Sequence, residues 1–256
     1  MADWTKRFSL SGRKALVTGA SSGIGAKICE VFADAGADIV AVARREDRLQ
    51  ATAEAVRKHG RDCLVLPADL SDVDQTRAVG RQALEAWGTI DILVNDAGVA
   101  CLAPALDLTL EDWERSLAVN VRAPFLLSQA LAPAMIAQRW GKIVNISSQT
   151  SVIGSPDHAA YGASKGALNA LTKSLMAEWA PHNIQVNAIC STVVLTEMGT
   201  RIWGPTEKSA PMLARIPLGR FGEPVEIADL ALYLASPAAG FINGELIMIE
   251  GGFTSV

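Results

Sequence analysis

Seven short apolar runs recur along the chain, separated by longer stretches in which apolar residues return every three or four positions. The runs are KALVTG (14–19), DIVAVA (38–43), DCLVLPA (62–68), IDILVN (90–95), GKIVNIS (141–147), IQVNAI (184–189) and ELIMIE (245–250). Their brevity and β-branched content predict buried strands. Helical periodicity falls at about 24–35, 46–59, 72–86, 111–138, 159–180 and 224–235. Strands apolar on both faces need helices on both faces, which selects parallel pairing. Right-handed crossovers then give an α/β chain built on a doubly wound, parallel, seven-stranded sheet with helices on both faces.

No repeat or linker-like composition divides the chain, so residues 1–256 are expected to form a single domain. The exception to the alternation is 191–222, whose glycines and prolines forbid one continuous helix. Trp203, Met212, Leu213 and Ile216 within it are too apolar to stay in water. The segment is therefore expected to be a lid folded over a site. It is entered through NAICSTVVLTEMG (187–199), where valines stand in place of the usual turn residues.

Composition narrows the classes. Half the residues are apolar but only 5% are aromatic, so aliphatic side chains must fill the core. The net charge of −4 leaves no basic stripe for a nucleic-acid backbone. Four scattered cysteines and three scattered histidines have no metal-ligand spacing, so no metal is expected and the thiols are read as reduced. MADWTKRFSLSGRK lacks the apolar core of a secretory signal, and no charge-free stretch approaches the ~18 residues of a membrane span. A cytoplasmic protein without a membrane partner is expected.

VTGASSGIG (17–25) leaves the first strand and opens a helix. Gly19, Gly23 and Gly25 in a GxxxGxG pattern suit a tight turn and a close approach to a pyrophosphate, with the helix N-terminus supplying free N–H groups. The second strand ends in Ala43, Arg44 and Arg45, where an NAD site places an acid for the ribose hydroxyls. Removing that acid and adding guanidinium groups suits a 2′-phosphate, so NADP(H) is expected in preference to NAD(H), with Arg44 the main contact.

YGASK places Tyr161 and Lys165 one helical turn apart on one face. An ammonium group near a phenol favours the phenolate, so Lys165 is expected to lower the pKa of Tyr161 towards that of a useful acid/base. Ser148, at the end of the fifth strand, precedes Tyr161 by 13 residues and is suited to hold a carbonyl oxygen.

The glycine pattern, Asn120 in LAVNVRAP, Ser148, YGASK and the chain length together resemble the short-chain dehydrogenases/reductases of about 250 residues. The resemblance spans essentially the whole chain and implies a Rossmann-fold oxidoreductase. It implies that Tyr161 is the general acid/base, Ser148 orients the carbonyl, Lys165 tunes the tyrosine and binds the nicotinamide ribose, and Asn120 holds a water in a proton relay. It further implies a cofactor site built from Gly19, Ser21, Ser22, Gly23, Ile24, Gly25, Arg44, Arg45, Asp69, Leu70, Asn95, Ala97, Gly98, Tyr161, Lys165, Val194 and Thr196. Within that set Asp69 and Leu70 of PADLSD hold the adenine, with Ser71 equally suited to cap the next helix. The backbone of Val194 hydrogen-bonds the carboxamide, and the hydroxyl of Thr196 reaches the carboxamide or the pyrophosphate.

Local stretches (SSQTS, His158 before Tyr161, TVVLTEMG, MLARIPLGRF, EGGF) resemble the L-xylulose/dicarbonyl reductase branch. That implies a small ketone, ketose or dicarbonyl substrate, contacted by Ser148, Gln149, His158, Tyr161 and Trp203, with Leu213 adding to an apolar wall. Two alternatives stand beside it. A 3-oxoacyl-thioester reductase would use Lys208, Arg215 and Arg220 to dock an acidic carrier protein. A non-catalytic dinucleotide sensor is disfavoured because the tyrosine and lysine are both present. The resemblance also implies a homotetramer paired through the helices at 111–138 and 159–180.

Two residues depart from the family pattern. Asp96 in NDAG stands where a neutral residue, commonly asparagine, is usual, and is expected to lower stability or cofactor affinity. Ser191 stands where proline is usual, which is expected to loosen the lid and weaken NADPH binding.

Overall fold

The computed structural model describes residues 4–204 and 206–256, without the side chains of residues 4, 206 and 208. In chain order the strands are β1 (Lys14–Thr18), β2 (Asp38–Ala43), β3 (Cys63–Pro67), β4 (Ile92–Asn95), β5 (Gly141–Ser148), β6 (Ile184–Ser191) and β7 (Leu246–Ile249). The helices are α1 (Gly23–Asp34), α2 (Glu46–Lys58), α3 (Val73–Trp87), α4 (Leu110–Leu117), α5 (Ala123–Gln138), α6 (Ala159–Trp179), α7 (Glu197–Trp203), α8 (Thr206–Leu213) and α9 (Pro224–Ala235).

All seven strands pair in parallel in the order β3-β2-β1-β4-β5-β6-β7. The order reverses between β1 and β4, and the crevice above the strand C-termini there is where such sheets bind ligands. Alternate strand residues serve opposite faces. Ala15, Val17, Ile39, Ala41, Ile92 and Val94 pack with Ile28 and Phe32 of α1 and Ile227 and Ala231 of α9. Leu16, Val40, Val42, Leu93 and Ile143 pack with Val79 of α3, Leu127 and Leu131 of α5 and Leu175 of α6. The two-faced burial read from the apolar runs is thus met by one layer of helices on each side.

Three local differences matter for the site. The helical stretch expected over 111–138 is two α-helices joined by a π-helical turn, Ala118–Arg122, with Asn120 at its centre. The lid segment contains two short helices, α7 and α8, rather than loop alone. The cap of α3 is Asp72, whose side chain accepts the Gln75 N–H, and not Ser71. Ser71 instead bonds Asp69, its N–H and O–H both donating to Oδ1 at 2.9 and 2.8 Å.

Candidate active site

The ends of β1, β2, β4, β5 and β6 and the lid enclose a cleft of about 1090 Å³. It runs from Arg44 and Asp69 at one end, past the glycine turn, to Ser148, Tyr161 and the lid at the other.

At the glycine turn, Gly19 and Gly23 have φ of +71° and +59°, conformations that a side chain resists. Space is closed as well. A β-carbon at Gly19 or Gly25 would lie 2.8 or 2.6 Å from Oδ2 of Asp96, and one at Gly23 would lie 3.0 Å from the γ-methyl of Thr196. Backbone closes the same space, with Ala97 N 2.9 Å from a β-carbon at Gly19 and Gly19 O 2.6 Å from one at Gly25, so the glycines answer to the β4 loop and the turn itself as well as to Asp96 and Thr196. Ser22, the N-cap of α1, makes no side-chain cap bond, and of the first turn only the Gly25 N–H is directed at a side chain, the Asp96 carboxylate. That is the arrangement a phosphate fits.

The two arginines divide. Arg45 donates to Ser22 Oγ at 3.0 Å and pairs with Glu197 of α7 at 3.5 Å, so it ties the glycine turn to the lid. Arg44 lines the cleft with no ion pair among the described residues, and its charge reaches Asp69. Burial pushes the Asp69 carboxyl up, but the Ser71 bonds, Arg44 and Arg115 outweigh it and hold the group below its ordinary value. Arg115 also lines this end, an addition that its position in a plain amphipathic helix did not signal.

Asn95 turns away from the cleft. Its Nδ2 donates to Asn145 Oδ1 at 2.8 Å, and Asn145 Nδ2 donates to Thr172 Oγ1 at 2.9 Å, a buried chain tying β4, β5 and α6 together. The next residues are pinned by Thr18, whose Oγ1 accepts the N–H groups of Asp96 and Ala97, both at 3.0 Å. Ala97 and Gly98 line the cleft.

Asn120 is buried behind the wall. Its Oδ1 accepts the Val99 N–H at 2.9 Å, and its Nδ2 donates to Val99 O at 3.0 Å and Ser164 Oγ at 2.9 Å. The side chain is committed to fixing the β4–α4 loop.

Ser148, Tyr161 and Lys165 converge on the cleft floor. Ser148 Oγ accepts from Thr150 N and Thr150 Oγ1 at 3.2 and 3.0 Å, leaving its own O–H to donate towards the phenol. Lys165 is buried, donates to Ile146 O at 2.7 Å, and stands 5.7 Å from the Tyr161 ring centroid. The expectation that Lys165 depresses the tyrosine is not met: the phenol is pushed up to about 12. Burial is the largest cause, the Ser148 bond works against it, and the nearby Asp96 charge adds to it. Lys165 itself falls to about 8 by burial, with Asp96 and Cys190 opposing the fall.

At the substrate end, Gln149 is buried and its Oε1 has no hydrogen-bond partner; Thr192 Oγ1, also on the cleft, is likewise unpaired. The His158 and Tyr161 rings meet edge-on with centroids 6.2 Å apart. Trp203 packs against Met212, Ile216, Val193 and Phe253, so the lid has its own small core. Met212 and Phe253 line the cleft with Trp203, and Leu213 does not. Arg215 stacks 4.3 Å over the Phe253 ring. Arg220 is bound to Glu226 by two bonds at 2.8 and 2.6 Å. Lys208, the third residue of the expected basic patch, has its side chain outside the described residues.

Thr196 caps α7, its Oγ1 accepting the Gly199 N–H at 3.0 Å, and the Val194 carbonyl accepts the Thr196 N–H at 2.7 Å. Val194 also bridges to Gly222, so the extended entry to the lid is held as a short strand pair and needs no turn residue. Ser191 is the last residue of β6, in register with Ser148 and Ile249 on either side, so ladder pairing fixes it where proline is usual.

Among the described residues no helix is long and apolar enough to cross a membrane, and no cluster suits a metal ion.

Comparison with known proteins agrees with this geometry. The family described as enoyl-(acyl carrier protein) reductase matches residues 19–254. The chain is 42% identical over 249 residues to an NAD-dependent glycerol dehydrogenase of Listeria innocua, covering 97% of this chain and 96% of that protein. It is 42% identical over 245 residues to the L-xylulose reductase of Bos taurus, covering 95% and 97%. Among solved structures, a gluconate 5-dehydrogenase from Burkholderia cenocepacia J2315 in complex with NADP and tartrate superposes with a TM-score of 0.93 at 37% identity, covering 98% of this chain and 99% of that one.

Proposed function

Because the chain belongs to the short-chain dehydrogenase/reductase family, we propose that it is an NADP(H)-dependent oxidoreductase interconverting a small polyol or hydroxy acid and the corresponding ketone, with Tyr161 as general acid/base. The observation carrying this reading is the convergence of Ser148, Tyr161 and Lys165 beside two buried, unpaired polar atoms, Gln149 Oε1 and Thr192 Oγ1. The hydroxyl groups of a polyhydroxylated substrate suit such acceptor atoms, and a plain acyl chain offers them no donor.

The residues present fit a nicotinamide dinucleotide. The α1 N-terminus and the glycine turn would hold its pyrophosphate, Arg44 its 2′-phosphate, and Asp69 and Leu70 its adenine. Bound there, the cofactor supplies the hydride. The chain's own residues handle the oxygen. With a carbonyl bound, Ser148 would turn its one O–H from the phenol to the carbonyl oxygen, and Tyr161, protonated at neutral pH, gives the proton as the alkoxide forms. Lys165 supplies positive charge beside that alkoxide. Met198, Trp203 and Met212 exclude water over the reacting end.

The 3-oxoacyl-thioester reading has less behind it, since Arg220 is taken up by Glu226 and Arg215 by Phe253. A homotetramer is supported by Leu110, Trp113 and Phe125, which α4 and α5 leave exposed.

The test is NADPH oxidation and NADP+ reduction across ketoses, polyols, aldonic acids, diketones and acetoacetyl thioesters. Turnover confined to the hydroxylated substrates supports the reading. Turnover confined to thioesters overturns it, and matching kcat/KM with NADH and NADPH overturns the cofactor preference.

A further inference from the structure

Asp96 stands apart from the groups that the chemistry uses. Its carboxylate fills the space above the glycine turn, where Gly19 and Gly25 have no β-carbon to displace it, and it lines the cleft. Thr18 fixes its backbone. Among the described residues no basic side chain forms an ion pair with it. The titratable groups facing it are Lys165 and Tyr161 from α6 and Cys29 from α1; the Gly25 N–H is directed at it as well. Lys165 gives only partial relief, since burial of the carboxylate outweighs its pull.

This places an acid at the same helix end that would receive the cofactor's pyrophosphate. Two negative groups then compete for one set of N–H donors and one partial positive charge. A carboxylate has a remedy that a pyrophosphate at neutral pH lacks: it takes a proton. On the cofactor reading above, we propose that Asp96 is a positioning residue that takes up one proton from solvent when the dinucleotide binds, so that cofactor affinity falls as the pH rises past neutrality.

The proton balance is simple. Free protein with an ionised Asp96, cofactor and one H+ give the complex with a neutral carboxyl group. Burial already raises this carboxyl, to about 7, against the opposing pull of Lys165 and the Gly25 N–H, so the free protein holds a mixed population near neutral pH. Added phosphate charge moves the group further in the same direction. By linkage, the group's raised pKa in the complex means that protons promote binding and bound cofactor promotes protonation.

The experiment uses the full chain and NADP+ or NAD+ as the probe. Calorimetric titrations at pH 6.5 and 8 in two buffers of different ionisation enthalpy give Kd and protons taken up. Infrared difference spectra of 13C-aspartate-labelled protein read the protonated carboxyl band directly, and lysine does not contribute to that band. Expected for wild type are a Kd that weakens about three- to tenfold between pH 6.5 and 8, uptake of a fraction of a proton, and gain of a 13C-shifted carboxyl band on binding at pH 8. Asp96→Asn is expected to bind with no such band, and Asp96→Ser serves in its place if the amide fails to fold. Cofactor binding at both pH values without a new band in the wild type overturns the proposal and leaves the cofactor reading standing. Absence of binding by either dinucleotide at any pH overturns both.

Discussion

The γ-methyl of Thr196 stands 3.0 Å from where a β-carbon on Gly23 would lie, so the lid entry and the glycine turn are fitted to each other across the cleft. Gly23 also has φ of +59°. Gly23→Ala is therefore expected to destabilise the protein by ~1–3 kcal/mol and to weaken NADPH binding. Thr196→Ser, which removes that methyl but keeps the helix-capping oxygen, is expected to recover part of the loss in the double variant. Urea unfolding of the four proteins measures the coupling, and strictly additive effects would count against the contact.

Tyr161→Phe is expected to lose nearly all kcat while binding NADPH almost as before. In the wild type, a phenol pushed up to about 12 stays protonated through neutral pH. Reduction needs that proton, whereas oxidation needs the phenolate. The oxidation rate should then climb with pH above 7 while reduction does not. Stopped-flow single turnovers in both directions check this, and near-wild-type turnover in the phenylalanine variant would refute the role.

The separate surroundings of the two cleft arginines give a selective outcome. Arg44→Ala is expected to raise KM for NADPH by about ten- to a hundredfold, with little change for NADH. Arg45→Ala releases Ser22 and Glu197, so it should affect both cofactors alike. Paired steady-state kinetics decide; equal loss for the two cofactors in Arg44→Ala would remove the 2′-phosphate assignment.

Asp96 also sets a pH dependence of stability. Burial raises its folded-state pKa from the ordinary carboxylate value of 3.8 to about 7, so the folded chain binds the proton more tightly than the unfolded one. Stability from this group is then greatest below about pH 4 and is lost as the pH rises towards 7. Asp96→Asn, which keeps the shape and removes the titration, is expected to gain ~1–3 kcal/mol at pH 7.5 and much less at pH 4.5. Denaturant melts at the two pH values test the sign, and an equal gain at both would show that the charge is not the cause.

Gln149→Leu removes a buried oxygen that no protein group satisfies. The variant is expected to be as stable as wild type or slightly more so, and to lose about tenfold in kcat/KM for a polyhydroxylated substrate. It should leave a simple diketone nearly unaffected. Comparable losses on both substrates would argue that Gln149 shapes the cleft without reading hydroxyl groups.

The seven strands and most of the helices between them were legible in the sequence because strand and helix periodicity are local properties, whereas the short lid helices α7 and α8 were not. Each apolar run, from Lys14 in β1 to Ile249 in β7, carries its own burial pattern, and parallel pairing follows from burial on both faces. YGASK and the glycine turn were legible for the same reason, as short spacings on one element. What meets across elements was not local. No spacing places Asp96 over Gly25, or commits Asn95 to Asn145 and Asn120 to Val99, since these contacts depend on how β4 and the following loop seat against α1, β5 and α6. The π turn at Asn120 leaves no mark on the pattern because α5 beyond it is apolar nearly all round and carries no period for the extra residue to shift. Ionisation depends most on tertiary placement. A lysine one helical turn from Tyr161 predicts a lowered pKa, but burial and the nearby Asp96 raise it, because desolvation and charge act through space and not along the chain.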